Sequence, residues 1–335
     1  MMADPIDSPV MEQRRLGRSG LKVSRLGLGT MTWGQDTDEH EAAEQLSSFL
    51  EAGGTLLDTA AGYGDGESER VIGGLLASKV DREEVVLATK AGISRRTGER
   101  VVDTSRRALL DALDGSLRRL GTDHVDLWQV HSWSDDTPLE ETLGALDLAV
   151  ASGRTRYAGI SNFSGWQTGH AVTLQRMQAT SAGRAPVVST QMEYSLLQRG
   201  VEREVLPAAA ALGLGVLPWS PLGAGVLTGK YRSGTPADSR AASPQFARFI
   251  ERFLDERSRG IVDAVATAAE GLDATPLEVA LAWVRDAPGV TAPIVGARTA
   301  AQLRASLDAD RLTLPAEIRQ ALDEVSAPPT GYPDS

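Results

Sequence analysis

Four residues of types that move protons stand at intervals along the first 131 positions: Asp58, Tyr63, Lys90 and His131. Asp58 and Tyr63 belong to the stretch LLDTAAGYG, in which an apolar run delivers a carboxylate and then a phenol flanked by glycines. Lys90 closes the apolar run VVLATK in a chain with only four lysines among 34 basic residues. A buried ammonium needs a counter-charge or loses its proton, and Asp58 is the natural partner. A phenol has a reference pKa of about 10, and an ammonium about 4 Å away stabilises the phenolate by about 1 to 4 kcal/mol. On that arithmetic Lys90 lowers Tyr63 by about one to three pKa units and makes it a usable general acid. His131 can donate a hydrogen bond to a carbonyl oxygen and fix its position. Together they suit delivery of a proton to an oxygen whose carbon receives hydride, and the hydride must come from a cofactor.

These residues need a scaffold that brings them to one place. Eight short apolar runs punctuate the chain: Leu26–Thr30, Thr55–Ala60, Val85–Lys90, Val125–His131, Arg156–Ser161, Val187–Met192, Gly215–Ser220 and Ala292–Gly296. They are continuous in hydrophobicity, as parallel strands covered by helices are. Helix signals lie between them. Leu109, Leu113, Leu117 and Leu120 form a stripe ended by Gly121, and Thr137-Pro138-Leu139-Glu140 and Thr275-Pro276-Leu277-Glu278 both read as capping boxes. RRLG and LKVS around Arg18-Ser19-Gly20 read as a hairpin. Eight β/α units predict an α/β fold, a (β/α)8 TIM barrel with an N-terminal β-hairpin and a C-terminal extension. The competing doubly wound sheet would usually carry G-x-G-x-x-G after its first strand, and Gly27-Leu28-Gly29-Thr30-Met31-Thr32 lacks the third glycine. A phosphate-binding loop is absent too, since Ala224 replaces its first glycine and Tyr231 follows Gly229-Lys230. Residues 12–326 are expected to form a single barrel domain, with 1–11 and 327–335 as flexible tails.

Barrel chemistry sits at the C-terminal ends of the strands. Asp58, Lys90, His131, Asn162, Gln191 and Trp219-Ser220 all fall there, with Tyr63 in the loop above. His124 lies at the other end of the His131 strand, roughly 20 Å away at about 3.3 Å per residue. His40 and His170 read as helix-surface residues. Ser161, Asn162 and Gln191 can hydrogen-bond an amide, and Trp219 offers a flat face to an aromatic ring. The glycine-rich segment Ser220–Gly225 permits close approach of backbone amides to phosphates. Gly296-Ala297-Arg298-Thr299 opens a helix with Gln302 at its third position. A helix start beside an arginine suits a phosphate monoester and equally reads as an ordinary cap.

Composition narrows the alternatives. The 335 residues carry a net charge of −11 and no long basic run, which argues against a nucleic-acid partner. No cysteine is present, so disulfides, thiol catalysis and cysteine-ligated metals are excluded. No apolar run is long enough to span a membrane, and the N-terminus lacks signal-peptide features, so a cytoplasmic location is expected. A metal-dependent hydrolase would usually want H-x-H after the first strand, where this chain has LGLGTMT, so no metal is expected.

In order along the chain, LLDTAAGYG, VLATK, DLWQVHSW, YAGISNFS, STQMEYSLLQR, PWSPLGAGVLTGKY and PIVGARTAAQL resemble the aldo-keto reductases, over about Arg14 to Leu322. The resemblance, which includes the branch of the potassium-channel β subunits, implies NADPH-dependent reduction of an aldehyde or ketone, including a sugar-like carbonyl, to an alcohol. It implies Tyr63 as proton donor, Asp58 and Lys90 as its tuning pair and His131 as the substrate-orienting group. It implies that Ser161, Asn162 and Gln191 hold the nicotinamide carboxamide and that Trp219 stacks on the ring. Thr30, Ser220, Leu222, Gly225, Lys230 and Gly296 would line the rest of the cofactor, with Arg298 and Gln302 facing the adenosine 2′-phosphate of NADP(H). Many relatives place asparagine four residues after that glutamine, where this chain has Ser306. The substrate entrance is expected around Trp33, Tyr63 and Trp133, where the two tryptophans either wall it or pack the barrel rim, and the segment from about Tyr231 to Arg259 reads equally as a lid or as an ordinary surface loop. An alternative implied role is a cofactor-binding regulatory subunit with little turnover, and a homo-oligomer is compatible with either.

Overall fold

The computed structural model describes residues 11–94, 98–178, 186–231, 250–329 and 331. Most of the 231–259 segment and of both expected tails therefore lies outside the described residues. Twelve strands are described: β1 (Gln13–Arg15), β2 (Lys22–Ser24), β3 (Gly27–Gly29), β4 (Leu56–Asp58), β5 (Val86–Ala91), β6 (Ile93–Ser94), β7 (Val101–Val102), β8 (Val125–Val130), β9 (Thr155–Ser161), β10 (Val187–Glu193), β11 (Gly215–Trp219) and β12 (Ile294–Gly296). The helices are α1 (Glu39–Glu51), α2 (Glu67–Ser78), α3 (Arg106–Leu120), α4 (Leu139–Ala151), α5 (Gly165–Gln178), α6 (Val205–Leu212), α7 (Glu256–Gly271), α8 (Pro276–Arg285), α9 (Ala300–Asp308) and α10 (Ala316–Val325). Shorter helical turns lie between some of them.

Strands β3, β4, β5, β8, β9, β10, β11 and β12 pair in parallel, in that order, and close into a barrel. Each coincides with one of the eight apolar runs. This is the (β/α)8 barrel. Strands β1 and β2 form the anticipated antiparallel hairpin. It seals the bottom of the barrel, where Arg18 N donates to Gly213 O at 2.9 Å. Gly17, at φ +58°, touches the start of β11 so closely that a Cβ would meet Gly215 N at 2.5 Å. Only glycine serves there. The antiparallel ribbon of β6 and β7 had no counterpart in the sequence reading.

Strand pairing sets which side chains face inward. Asp58 pairs with Ala88, and Lys90 with Gln129, so these residues share the lumen face. Beneath them Leu56, Ala88, Leu127, Leu217 and Ile294, with Leu16 and Val23 of the hairpin, form an apolar plug. Alternate residues such as Leu87 and Ala91 join the larger core between barrel and helices. In α3 the stripe meets the sheet through Leu109, Leu113 and Leu120, and Gly121 caps the helix in the left-handed conformation.

The two T-P-L-E segments diverge. Thr275 caps α8 with a complete box: its Oγ1 accepts from Glu278 N at 3.2 Å, and Glu278 Oε2 accepts from Thr275 N at 2.7 Å. At α4 the expected box does not form. Pro138 itself occupies the cap in an extended conformation, and the helix starts one residue late. The residue after the box glutamate, Glu141, accepts through Oε1 from Arg106 N and so ties this first turn to the start of α3. Among the described residues no helix is long and apolar enough to cross a membrane.

Candidate active site

Asp58 is the last residue of β4, and Lys90 the penultimate residue of β5, so both side chains enter the top of the lumen. Both are buried. Lys90 Nζ donates to Asp58 Oδ2 at 2.6 Å and to Thr59 O at 2.8 Å. The other carboxylate oxygen, Oδ1, accepts from Gln191 Nε2 at 2.9 Å. Burial alone would strip the ammonium of its proton, yet the adjacent carboxylate and phenol push Lys90 above its ordinary value. The lysine is therefore a fixed cation.

The chain after β4 turns Tyr63 back over this pair. Tyr63 N donates to Ala60 O at 3.0 Å, and the next two residues, Gly64 and Asp65, have positive φ. Gly62 passes so near the ribbon that a Cβ would meet Ile93 O at 2.9 Å, which explains the glycine before the tyrosine. The Tyr63 ring centroid lies 5.2 Å from Lys90 Nζ and 5.9 Å from that of His131, edge-to-face. His131 follows β8, its N donating to Ala91 O at 2.8 Å. The four residues drawn from three strand ends and one loop thus form a single cluster.

One expectation about this cluster is corrected. Tyr63 keeps some accessible surface as a residue, but its hydroxyl is in dense surroundings, and burial pushes the phenol above its ordinary value. Lys90 pulls it down and Asp58 pushes it up, and the net direction is upward rather than the expected fall. Desolvation of the phenolate outweighs the ammonium.

The remaining rim residues line up beside the cluster. Asn162, at φ +56°, donates through Nδ2 to His131 O at 2.9 Å and to Ser161 Oγ at 3.1 Å. Its Oδ1 accepts from Trp219 Nε1 at 3.0 Å. Ser161, Gln191 and Trp219 therefore surround Asn162 on consecutive strands. A cavity of about 620 Å³ opens past this group, between Asn162 and Trp219 on one side and the 198–205 segment on the other. Tyr63, Lys90 and His131 are not in its lining. After Trp219 the backbone coils: Ser220, Gly223, Ala224 and Gly225 all have positive φ, and Ser220 Oγ accepts from Ala224 N at 2.9 Å. A Cβ on Gly225 would stand 3.1 Å from Lys230 Nζ, so the lysine head lies against that glycine. Leu222 caps this coil.

Between the strands of Trp219 and Asp58, Thr30 follows β3, its hydroxyl donating to Asp58 O at 3.1 Å. Gly296 closes β12 and is exposed. Thr299 caps α9, its Oγ1 accepting from Gln302 N at 3.3 Å, and Gln302 Oε1 accepts from Arg298 N at 3.0 Å. Ser306 turns its hydroxyl onto Gln302 O at 3.2 Å.

The chain matches the aldo/keto reductase family over residues 25–327. It belongs to that family. It is 39% identical to the uncharacterized oxidoreductase YrpG of Bacillus subtilis, over 96% of this chain and 98% of that protein. A probable voltage-gated potassium channel subunit beta of Oryza sativa subsp. japonica is 34% identical, over 95% and 96% of the two chains. Protein tas of Escherichia coli is 33% identical, over 94% and 97%. An aldo/keto reductase is an oxidoreductase acting on small carbonyl compounds with a nicotinamide cofactor.

One substrate-side expectation is corrected. Trp33 is fully buried and donates Nε1 to Gln45 Oε1 at 3.0 Å, so it fastens the rim to α1 instead of walling an entrance. Trp133 is half-buried beside the rim, edge-on to Phe163 at 5.2 Å and Trp166 at 5.3 Å. Sequence reasoning missed Trp166, which is 60% exposed and which only the start of α5 brings to Trp133. At the end of the 231–259 segment, Ile250 and Phe253 are buried and Glu256–Arg259 form the first turn of α7, so its C-terminal part is anchored.

Proposed function

We propose that the protein reduces an aldehyde or ketone to an alcohol with NADP(H), Tyr63 delivering the proton. The observation that carries this reading is the buried Lys90–Asp58 pair set beneath the Tyr63 ring, with His131 edge-on beside it. The residues fit a dinucleotide along the rim. Amide partners lie at Asn162 and Gln191, an indole at Trp219, and the ammonium of Lys230 against the backbone of Gly225. Arg298 at the start of α9 argues for the 2′-phosphorylated form. When bound, the cofactor would supply the hydride.

The protein's own residues then manage charge. As the substrate oxygen becomes anionic it grows far more basic than any phenolate, so a phenol held above its ordinary value still protonates it. The same upward shift keeps Tyr63 loaded with its proton at neutral pH. Lys90 stabilises the phenolate left behind, and Asp58 keeps Lys90 in place while Gln191 holds Asp58. His131 orients the carbonyl oxygen toward the phenol. Trp133 and its aromatic neighbours supply an apolar wall for the substrate's remainder.

The test is a panel of aldehydes and ketones, sugars included, with NADPH and NADH, followed at the nicotinamide absorbance. Turnover that disappears in Tyr63→Phe, while the cofactor still binds, supports the reading. Full activity in that variant ends it. The likeness to the rice potassium-channel β subunit supports a second reading, a cofactor-binding partner subunit. Tight cofactor binding with negligible turnover across the panel would favour it.

A further inference from the structure

The start of α9 carries a contact that the proposed reaction does not use. Glu41 Oε2 accepts a hydrogen bond from Ala300 N at 2.7 Å. Ala300 is the first residue of α9, so the carboxylate sits at the positive end of that helix. It arrives from a distant element, the first turn of α1, where Glu41 is half-buried. The surrounding backbone is clasped against it. Thr32 Oγ1 donates to Ala297 O at 3.1 Å, and Thr37 Oγ1 to Arg298 O at 3.2 Å. One turn further along, Arg304 pairs with Glu44 of α1 at 2.8 Å. Two neighbouring amides are taken by the chain itself, Arg298 N by Gln302 Oε1 and Gln302 N by Thr299 Oγ1.

A phosphate monoester gains at a helix start from amides that lack acceptors and from the absence of nearby negative charge. Here the first amide already holds a full negative charge. A 2′-phosphate placed beside Arg298 would approach Glu41 and either displace it or be repelled. A ribose with a free 2′-hydroxyl carries no such charge, and a hydroxyl can donate to a carboxylate. We infer that Glu41 is a specificity-determining residue. It opposes Arg298, competes with the 2′-phosphate for the amide of Ala300, and brings NAD(H) toward parity with NADP(H). The inference rests on the reading of the rim as a dinucleotide site.

The experiment measures binding, not turnover. Dissociation constants of NADPH and NADH are determined for the full chain and for Glu41→Gln and Glu41→Ala, by quenching of tryptophan fluorescence at low and high salt. Glu41→Gln keeps an oxygen for Ala300 N and removes only the charge, so the thermal midpoint should hold. NADPH should bind about tenfold more tightly in both variants at low salt, with NADH within about twofold, and the gain should shrink as salt screens it. An unchanged NADPH-to-NADH ratio in variants that keep the parent's melting temperature overturns the inference and leaves the dinucleotide reading intact. Failure of the parent protein to bind either cofactor overturns both.

Discussion

The two ends of the rim handle charge in opposite ways. At the Tyr63 end the ammonium and carboxylate are buried, paired with each other and braced by Gln191 and Thr59. At the α9 end the charges are part-exposed, and the carboxylate of Glu41 occupies an amide that an incoming anion would want. At the Tyr63 end the barrel lumen leaves the pair no freedom, because an unpaired buried charge would cost several kcal/mol. At the α9 end solvent screening keeps each interaction small, and the proposed selectivity rests on a balance between Arg298 and Glu41. In the proposed function the first end serves the chemistry and the second the choice of cofactor.

The sharpest way to break this contrast is Tyr63→Phe. Loss of the proposed proton donor should lower kcat by about 10²- to 10⁴-fold in steady-state reduction assays, with cofactor affinity unchanged. A comparable loss from any substitution at the α9 end would erase the division of labour. Lys90→Met comes next. It strands Asp58 without its cation and should destabilise the protein by about 3 to 5 kcal/mol in urea unfolding, and adding Asp58→Asn should restore part of that.

Alkaline pH probes the same end more gently. Tyr63 and Lys90 are both raised in the folded protein, so both hold protons that the unfolded chain releases near its ordinary values of about 10. Their contribution to stability is full below that pH and is lost as pH rises through the raised folded values. Unfolding free energies measured at stepwise pH should begin to fall above about pH 10, more shallowly in Tyr63→Phe. Equal slopes would place the hydroxyl outside the coupled cluster. The smallest effect belongs to the α9 end: removing the half-exposed Arg304–Glu44 pair should cost no more than about 1 kcal/mol. Thermal melts of Glu44→Ala would show a larger loss if that end were as rigidly wired as the lumen.

Much of the barrel was legible because its signals are local. Each strand announced itself as a short apolar run, and the level of Asp58, Lys90 and His131 followed from their place at the ends of those runs. Local signals also misled. Thr137-Pro138-Leu139-Glu140 and Thr275-Pro276-Leu277-Glu278 are identical in sequence, yet only the second forms its capping box. Trp33 read as an entrance residue, because nothing near it in sequence reveals that Gln45 takes its indole N–H. Glu41 gave no signal at all, being one acidic residue among several at a helix start.

The amino-acid order alone determined the barrel and its residue levels, since hydrophobic runs and their spacing act within one β/α unit at a time. Tertiary structure decided the balance of forces at each site: that burial outweighs Lys90 in setting the Tyr63 phenol, and that α1 lends a carboxylate to α9. Desolvation and long-range pairing depend on everything packed around a group, and no stretch of sequence contains that sum.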